Sequence, residues 1–503
     1  MKMAKSLFLG SAAGLIAMGG AQAADLPVKA KAIEYVKVCS LYGAGFYYIP
    51  GTDTCIKLGG YLRAETTFGT SYHYDAPTSF VGGAQNRLSD YYSWRARQDL
   101  TVDTRTATEY GVLRTFAEFA WTYTGGAYSG AGTGGTSYTT SLGSQVDQGT
   151  PGLYYAFMQF AGFTFGKASS QFSTPWGQYA ANSIELPGAA GWDPTLQFAY
   201  TFDFGQGISA SFSAEDPVSR SQLALWNVSA ATAAGLAAGA YGANDFGGSR
   251  APDLIASVTV DQTWGYFKAS AAAHNNHAAY YGATEVTGYP DDKWGWAGQL
   301  ALSIKNIPTG AGDSISVTGV YTNGASRYNF HDYTGAPSYA MYGGTGVAGA
   351  YQSVGIAGVS DTVFVTGSSQ QLTTTYGISG GYNHNWNPQW ASSLFGAYAA
   401  VRYNTTAKGY ICGAFVASLA LSTGLGGCNP DFNYAVVGTR TGWTPVKGLT
   451  FSAELAYTML DQKYASGSTV ALPVQTSIAK PSTTYELKDQ NALTLLLKAQ
   501  RNF

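Results

Sequence analysis

Charge is what this chain has least of. Its 503 residues include 28 Lys or Arg and 30 Asp or Glu, 12% in all, where about a quarter is usual. The formal net charge is −2, or −4 once Lys2 and Lys5 depart with the leader described below, and neither value favours nucleic acid. Histidine is rarer still: His73, His274, His277, His331 and His384 are the five, and they show no ligand spacing. The four cysteines have no CxxC and no neighbouring His, so a metal centre has little to build on. Long apolar runs are also missing. Beyond the N-terminal leader no stretch approaches the ~20 apolar residues that a membrane-spanning helix needs. Any crossing of a membrane therefore falls to strands.

What replaces charge is 64 Gly and 37 Tyr, a composition for many strands and turns rather than amphipathic helices. A chain this long exceeds one ordinary globular core, and a large barrel escapes that limit because it has no solid core to fill. At the N-terminus, Lys2 and Lys5 precede an apolar run from Leu7 to Met18 and then Ala21-Gln22-Ala23. That order predicts a cleaved signal peptide over 1–23. At the C-terminus, Leu493, Leu495, Leu497 and the final Phe503 alternate along a strand with one apolar face. Together the two ends predict export and an all-β fold: a transmembrane antiparallel β-barrel in the outer membrane of a Gram-negative cell. In an exported chain Cys39 with Cys55 and Cys412 with Cys428 default to two local disulfides. Each closes a loop of roughly 15 residues and is worth about 3 kcal/mol in the chain-entropy picture. Free thiols are the weaker alternative and zinc the weakest.

Period-2 alternation predicts strands at 56–67, 91–104, 109–123, 151–160, 163–168, 195–202, 208–215, 252–263, 265–275, 293–305, 313–323, 372–386, 389–403, 431–443, 449–460 and 488–503. That makes sixteen, the even number a bacterial barrel needs to close. Tight turns such as Ala161-Gly162 and Asn387-Pro388 alternate with long Gly/Ser/Tyr-rich loops, which predicts short periplasmic turns and long extracellular loops. Trp264, Trp386, Trp390 and Trp443 fall at tight turns, and Tyr92, Trp94, Trp121, Trp294 and Trp296 near long loops. Two aromatic girdles follow, with the aromatics mainly on the lipid side. Residues 24–55 have no clear place in the count and form a separate N-terminal segment; the barrel occupies 56–503.

An Arg or Lys on the lipid face near mid-membrane costs roughly 2 to 4 kcal/mol, which decides the register. Arg95 and Arg97 share one face of the second strand with Asp99, so that face is the lumen. The same parity turns Lys57, Arg63 and Glu65 inward on the first strand and Arg114 and Glu118 inward on the third. A lumen lined by charge is a water-filled channel, and its basic members come from three consecutive strands, which predicts one positive wall. Two motifs carry no chemistry here. Gly377-Ile378-Ser379-Gly380-Gly381 matches GxSxG but lies inside an alternating strand with no helix after it. The run from Gly344 to Gly349 matches a dinucleotide fingerprint inside an outer loop. No cofactor is expected, and no enzyme.

Three segments carry a family resemblance: VKVCSLYGAGFYYIPGTDTCIKLGGYLRAE from Val36, YSWRARQDLTVDTRTATEYGVLRTFAEF from Tyr92, and MQFAGFTFGKASSQF from Met158. They resemble the porins of alphaproteobacteria, and Phe503 resembles the terminal insertion signal of outer-membrane proteins. The resemblance implies a homotrimer, set in outer-membrane lipid and lipopolysaccharide, passing small hydrophilic solutes and ions passively. It also implies that the third long loop, 169–194, folds into the barrel as a constriction, its acids Glu185 and Asp193 facing Arg63, Arg95, Arg97 and Arg114. The other readings are a solute-selective channel, which needs an aromatic track along the lumen, and a barrel whose loops act as an adhesin or phage receptor.

Overall fold

The computed structural model describes residues 37–69, 82–87, 92–125, 150–176, 186–191, 194–219, 224–330 and 338–503. The expected signal peptide lies outside these residues. The barrel strands are β1 Cys55–Gly69, β2 Tyr92–Thr108, β3 Gly111–Gly125, β4 Thr150–Phe160, β5 Phe163–Ser169, β6 Pro194–Asp203, β7 Ile208–Glu215 and β8 Asp253–Gln262. The second half follows with β9 Gly265–Asn276, β10 Lys293–Lys305, β11 Ser314–Asn323, β12 Thr374–Asn387, β13 Trp390–Arg402, β14 Phe432–Val446, β15 Leu449–Gln462 and β16 Gln490–Asn502. Every neighbouring pair is antiparallel, and β16 returns to pair with β1 from Tyr61↔Asn502 to Gly69↔Thr494. The barrel of sixteen strands is closed. All the expected strands are present, with ends displaced by up to four residues, as where β2 continues to Thr108.

Alternation sorts the two faces. Leu58, Leu62, Trp94, Phe198, Phe212, Leu300, Ile378 and Leu394 are exposed and point away from the lumen, while Glu65, Asp99, Lys268, Gln299 and Glu454 are buried on the inner side. The Cys39–Cys55 and Cys412–Cys428 disulfides are both formed. The first ties 37–54 back onto the barrel at its short-turn end, where Tyr47–Tyr48 pairs with the start of β1.

The long loops hold structure that their composition does not announce. Ala224–Asn227, Ala243–Asn244, Ser360–Phe364 and Gln371–Leu372 make one four-stranded sheet; Ser338–Gly343, Ser353–Gly358, Thr469–Leu472 and Thr483–Leu487 make another. A helix, Thr405–Leu419, starts at Asn404, whose side chain accepts from the Ala407 N–H, and is clipped by the second disulfide. Trp226, Tyr241, Tyr342, Ile356, Phe415 and Tyr485 share a dry core with Phe395, Tyr434 and Leu460 of the barrel wall. The upper inner face of β13 to β15 is thus apolar and covered, where the sequence predicted wet lumen throughout. Burying that face against the loops removes apolar surface that water would otherwise meet.

Candidate pore constriction

Register builds the basic wall of β1 and β2. Arg63 stands directly opposite Arg97, Glu65 opposite Arg95, Tyr61 opposite Asp99 and Lys57 opposite Asp103. Arg95 is ion-paired and hydrogen-bonded to Glu65. Arg63 and Arg97 take neutral partners: Arg63 Nε donates to Gln500 Oε1 at 2.9 Å, and Arg97 Nε to Thr122 Oγ1 at 2.9 Å. Each guanidinium also lies over a ring, Arg63 over Tyr61 at 4.6 Å and Arg97 over Tyr154 at 5.4 Å, which fixes its plane.

Arg114 belongs to a different level. It binds Asp103 at 3.0 Å, as Arg105 does at 2.9 Å, and register pairs Arg105 with Arg114. Eight residues separate Arg97 from Arg105 along β2, roughly 26 Å at the rise of a strand. The basic residues of the first three strands therefore form two levels, Arg63, Arg95 and Arg97 at the upper one and Lys57, Arg105 and Arg114 at the lower. Parity identifies a face; it does not give a height. At the lower level Arg105 and Lys57 lie beside the ring of Phe46, at 4.9 and 5.8 Å, so the N-terminal segment packs against inward-facing cations at the barrel mouth. Asp99 and Glu118 lie between the two levels and face each other across β2 and β3.

Two further cations join the upper level that no early strand announced. Lys498 of β16 pairs in register with Glu65, and Arg440 of β14 with Glu454. Lys498 is in electrostatic reach of Arg63, Arg440, Glu65 and Glu454. The signal was available: Leu493, Leu495 and Leu497 take the lipid face of the last strand, which leaves Lys498 to the lumen.

Across the barrel lies the loop that follows β5. Its described parts, 170–176 and 186–191, run along the inner faces of β7 to β12. The Gln171 N–H donates to Glu215 at 2.8 Å, Lys268 Nζ to the Ser173 carbonyl at 2.9 Å, and Gln299 Nε2 and Ser270 Oγ to the Phe172 carbonyl at 2.7 and 3.0 Å. Trp176 Nε1 donates to Thr318 at 3.1 Å, and Ser379 Oγ to the Gly188 carbonyl at 3.3 Å. Ser379, the serine of the GxSxG match, thus seats a loop. Gly188 has φ +88°, and a Cβ there would come within 2.5 Å of the Ile378 backbone, so the close approach requires glycine. Glu185 and Asp193 lie outside the described residues.

The loop between β11 and β12 narrows the mouth from another side. Its hairpin strand Ser353–Gly358 lies against β15 and β16: the Ile356 N–H donates to Gln462 at 2.9 Å, and Gln490 Nε2 to Ser353 Oγ at 2.9 Å. The same loop meets the loop that follows β5 where Phe172 packs on Tyr328, centroids 4.6 Å apart. Tyr328 donates to Asp253 at 2.6 Å, and Asp253 also holds His274 Nδ1 at 2.7 Å. Among the described residues no cluster of His, Cys, Asp or Glu could hold a metal ion.

The lumen also carries rings that the sequence placed elsewhere. Register puts Phe116 opposite Phe157 and Glu118 opposite Tyr155. Phe116, Tyr155 and Phe157 therefore share the inner face with Arg114 and Glu118, a departure from aromatics confined mainly to the lipid side. A β-bulge between Glu118 and Phe119 shifts the register there, which hides the pattern on β4.

The profile of a family described as the porin subfamily matches residues 25–496. The porin Omp2b of Brucella canis is 37% identical over 215 residues, 42% of this chain and 53% of the relative. Omp2b of Brucella suis is 36% identical over the same length. The chain spans about half the length of these curated relatives. Among solved structures, the outer membrane channel DcaP of Acinetobacter baumannii aligns with a TM-score of 0.56 at 14% identity, over 91% of this chain and 99% of that one, a likeness of fold. A family match across nearly the whole sequence, on a closed barrel of sixteen strands with an inward third loop, settles membership: this chain belongs to the porin subfamily of outer-membrane β-barrels.

Proposed function

We propose that the barrel is a passive, water-filled channel for small hydrophilic solutes and ions, working by sieving and electrostatics without chemistry. The observation that carries this reading is the placement of an inward loop along β7 to β12, facing Arg63, Arg95 and Arg97 on the opposite wall. Solutes pass between the two. Pore-lining acids, Glu65, Asp99 and Glu118 on the wall and Glu185 and Asp193 on the loop, complete the expected field. A second copy of the chain against the β4 to β6 face is part of the proposal, giving a homotrimer surrounded by lipid and lipopolysaccharide. Lys167 supports it. Its register partners are Ala156 and the outward Leu196, and among the described residues its Nζ donates to the nearby Leu153 carbonyl, at 2.6 Å. A lysine open to lipid at that depth costs roughly 2 to 4 kcal/mol, which a covering protomer relieves.

Ion preference tests the channel. A charge 4 Å from an ion in water is worth about 1 kcal/mol, so Arg63→Ser with Arg97→Ser should move the reversal potential in a salt gradient toward cations, lowering the chloride to potassium permeability ratio several-fold. An unchanged reversal potential would remove both residues from the conducting path.

A further inference from the structure

A water-filled wall has no packing need for rings, yet beside Tyr154 the inner face of β3 and β4 carries a contiguous group of three. Phe116 and Phe157 stack with centroids 5.4 Å apart, and Tyr155 meets them at 6.0 and 6.3 Å. All three remain partly exposed. Cations stand at both ends of this patch. Below, Arg114 lies over Phe116 at 5.2 Å and over Phe157 at 5.5 Å, with Arg105 and Lys57 beside Phe46. One carboxylate, Asp103, serves both Arg105 and Arg114, so the lower level keeps an excess of positive charge. Above, Arg63 and Arg97 rest on Tyr61 and Tyr154 with neutral hydrogen-bond partners. Between the levels Asp99 and Glu118 face each other, so charge opposes an anion on that stretch, and only an anion that carries its own ring gains there, by stacking on the rings of the wall.

We propose that this strip is a low-affinity track for organic anions that carry a flat ring, aromatic carboxylates above all. The carboxylate is handed from the upper guanidiniums to the lower ones, while the ring of the solute slides over Phe116, Tyr155 and Phe157. Flat rings stack on one another in offset or edge-to-face geometry, and guanidiniums held over ring faces accept a carboxylate in a fixed plane. The inference rests on the channel reading and adds a solute class to it.

Benzoate and cyclohexanecarboxylate make the test, being alike in charge and size while only the first has a π face. The full folded chain is placed in planar bilayers, and both permeabilities are read from reversal potentials against chloride. Stacking predicts that benzoate permeates about threefold better. Phe116→Leu with Phe157→Leu should bring the ratio close to one with the chloride conductance unchanged, and Phe157→Leu alone, the milder change, should give an intermediate ratio. Equal permeabilities in the unmodified chain, or a ratio indifferent to loss of the rings, would overturn the track while leaving the channel standing. Absence of any chloride current would overturn the channel reading and the track with it.

Discussion

Like charges directly opposite on neighbouring strands are destabilising, yet Arg63 and Arg97 occupy such a pair. Ring faces, neutral acceptors, and the carboxylates of Glu65 and Asp99 nearby make the pair tolerable. A second costly residue lies in the loop cap. Asp361 is fully buried, and its Oδ1 accepts from the Ser326 N–H at 2.5 Å. Burial pushes its carboxyl up to about 6, against the pull of His274 and the Ser326 donors. An unfolded aspartate titrates near 4, so between about 4 and 6 the folded loop holds the extra proton and loses stability as pH rises. The loss amounts to about 3 kcal/mol above that window. Asp361→Asn removes the titration. At pH 4.5 the variant and the unmodified protein should therefore be cut at similar rates by protease in the 324–373 loop, whereas at pH 7.5 the variant should be cut at least tenfold more slowly, because cutting follows local opening of the loop. Equal rates at both values would show that Asp361 is not a burden on the loop.

Among elements, the strands were legible and the loops were not. A barrel strand has one lipid face and one lumen face, so its sequence alternates, and the price of an arginine in lipid selects the register; Arg95, Arg97, Lys57, Arg63, Arg114 and Glu118 all turn inward by that rule. The same rule makes Phe116 inward, two residues from Arg114 and from Glu118. The partner rings on β4 stayed hidden behind the bulge. Ser353–Gly358 is buried throughout, so it has no alternation to read, and its apolar neighbours lie far away in sequence on β13 to β15. The division of the basic residues into two levels was equally unreadable, because it needs the pairing of Arg105 with Arg114. At the constriction loop, Gly188 offers a direct test. Alanine at φ +88° incurs a left-handed penalty of about 1 to 2 kcal/mol and meets the Ile378 backbone besides. Gly188→Ala should unseat the loop from β12, giving a single-channel current that flickers between sublevels. A steady current of unmodified size would show that the loop does not border the path.

At the scale of the whole molecule, three obstructions share one cylinder. The described parts of the loop after β5 line β7 to β12, the hairpin and loop core cover the upper face of β13 to β15, and 37–54 packs against Lys57 and Arg105 at the short-turn end. Among the described residues, the wall left open is that of β1 to β4, where the arginines and the inward rings are. A closed antiparallel barrel satisfies its backbone within itself, which frees the interior to be wet, and the paired charges of Glu65 with Arg95 and Asp103 with Arg105 and Arg114 suit water better than a packed core. We propose that this interior conducts. Single-channel recording of the folded chain in a planar bilayer tests it most directly: open, ohmic steps of weak selectivity, closing in three equal sublevels, are the predicted result, and a folded, heat-modifiable barrel that passes no current would contradict it.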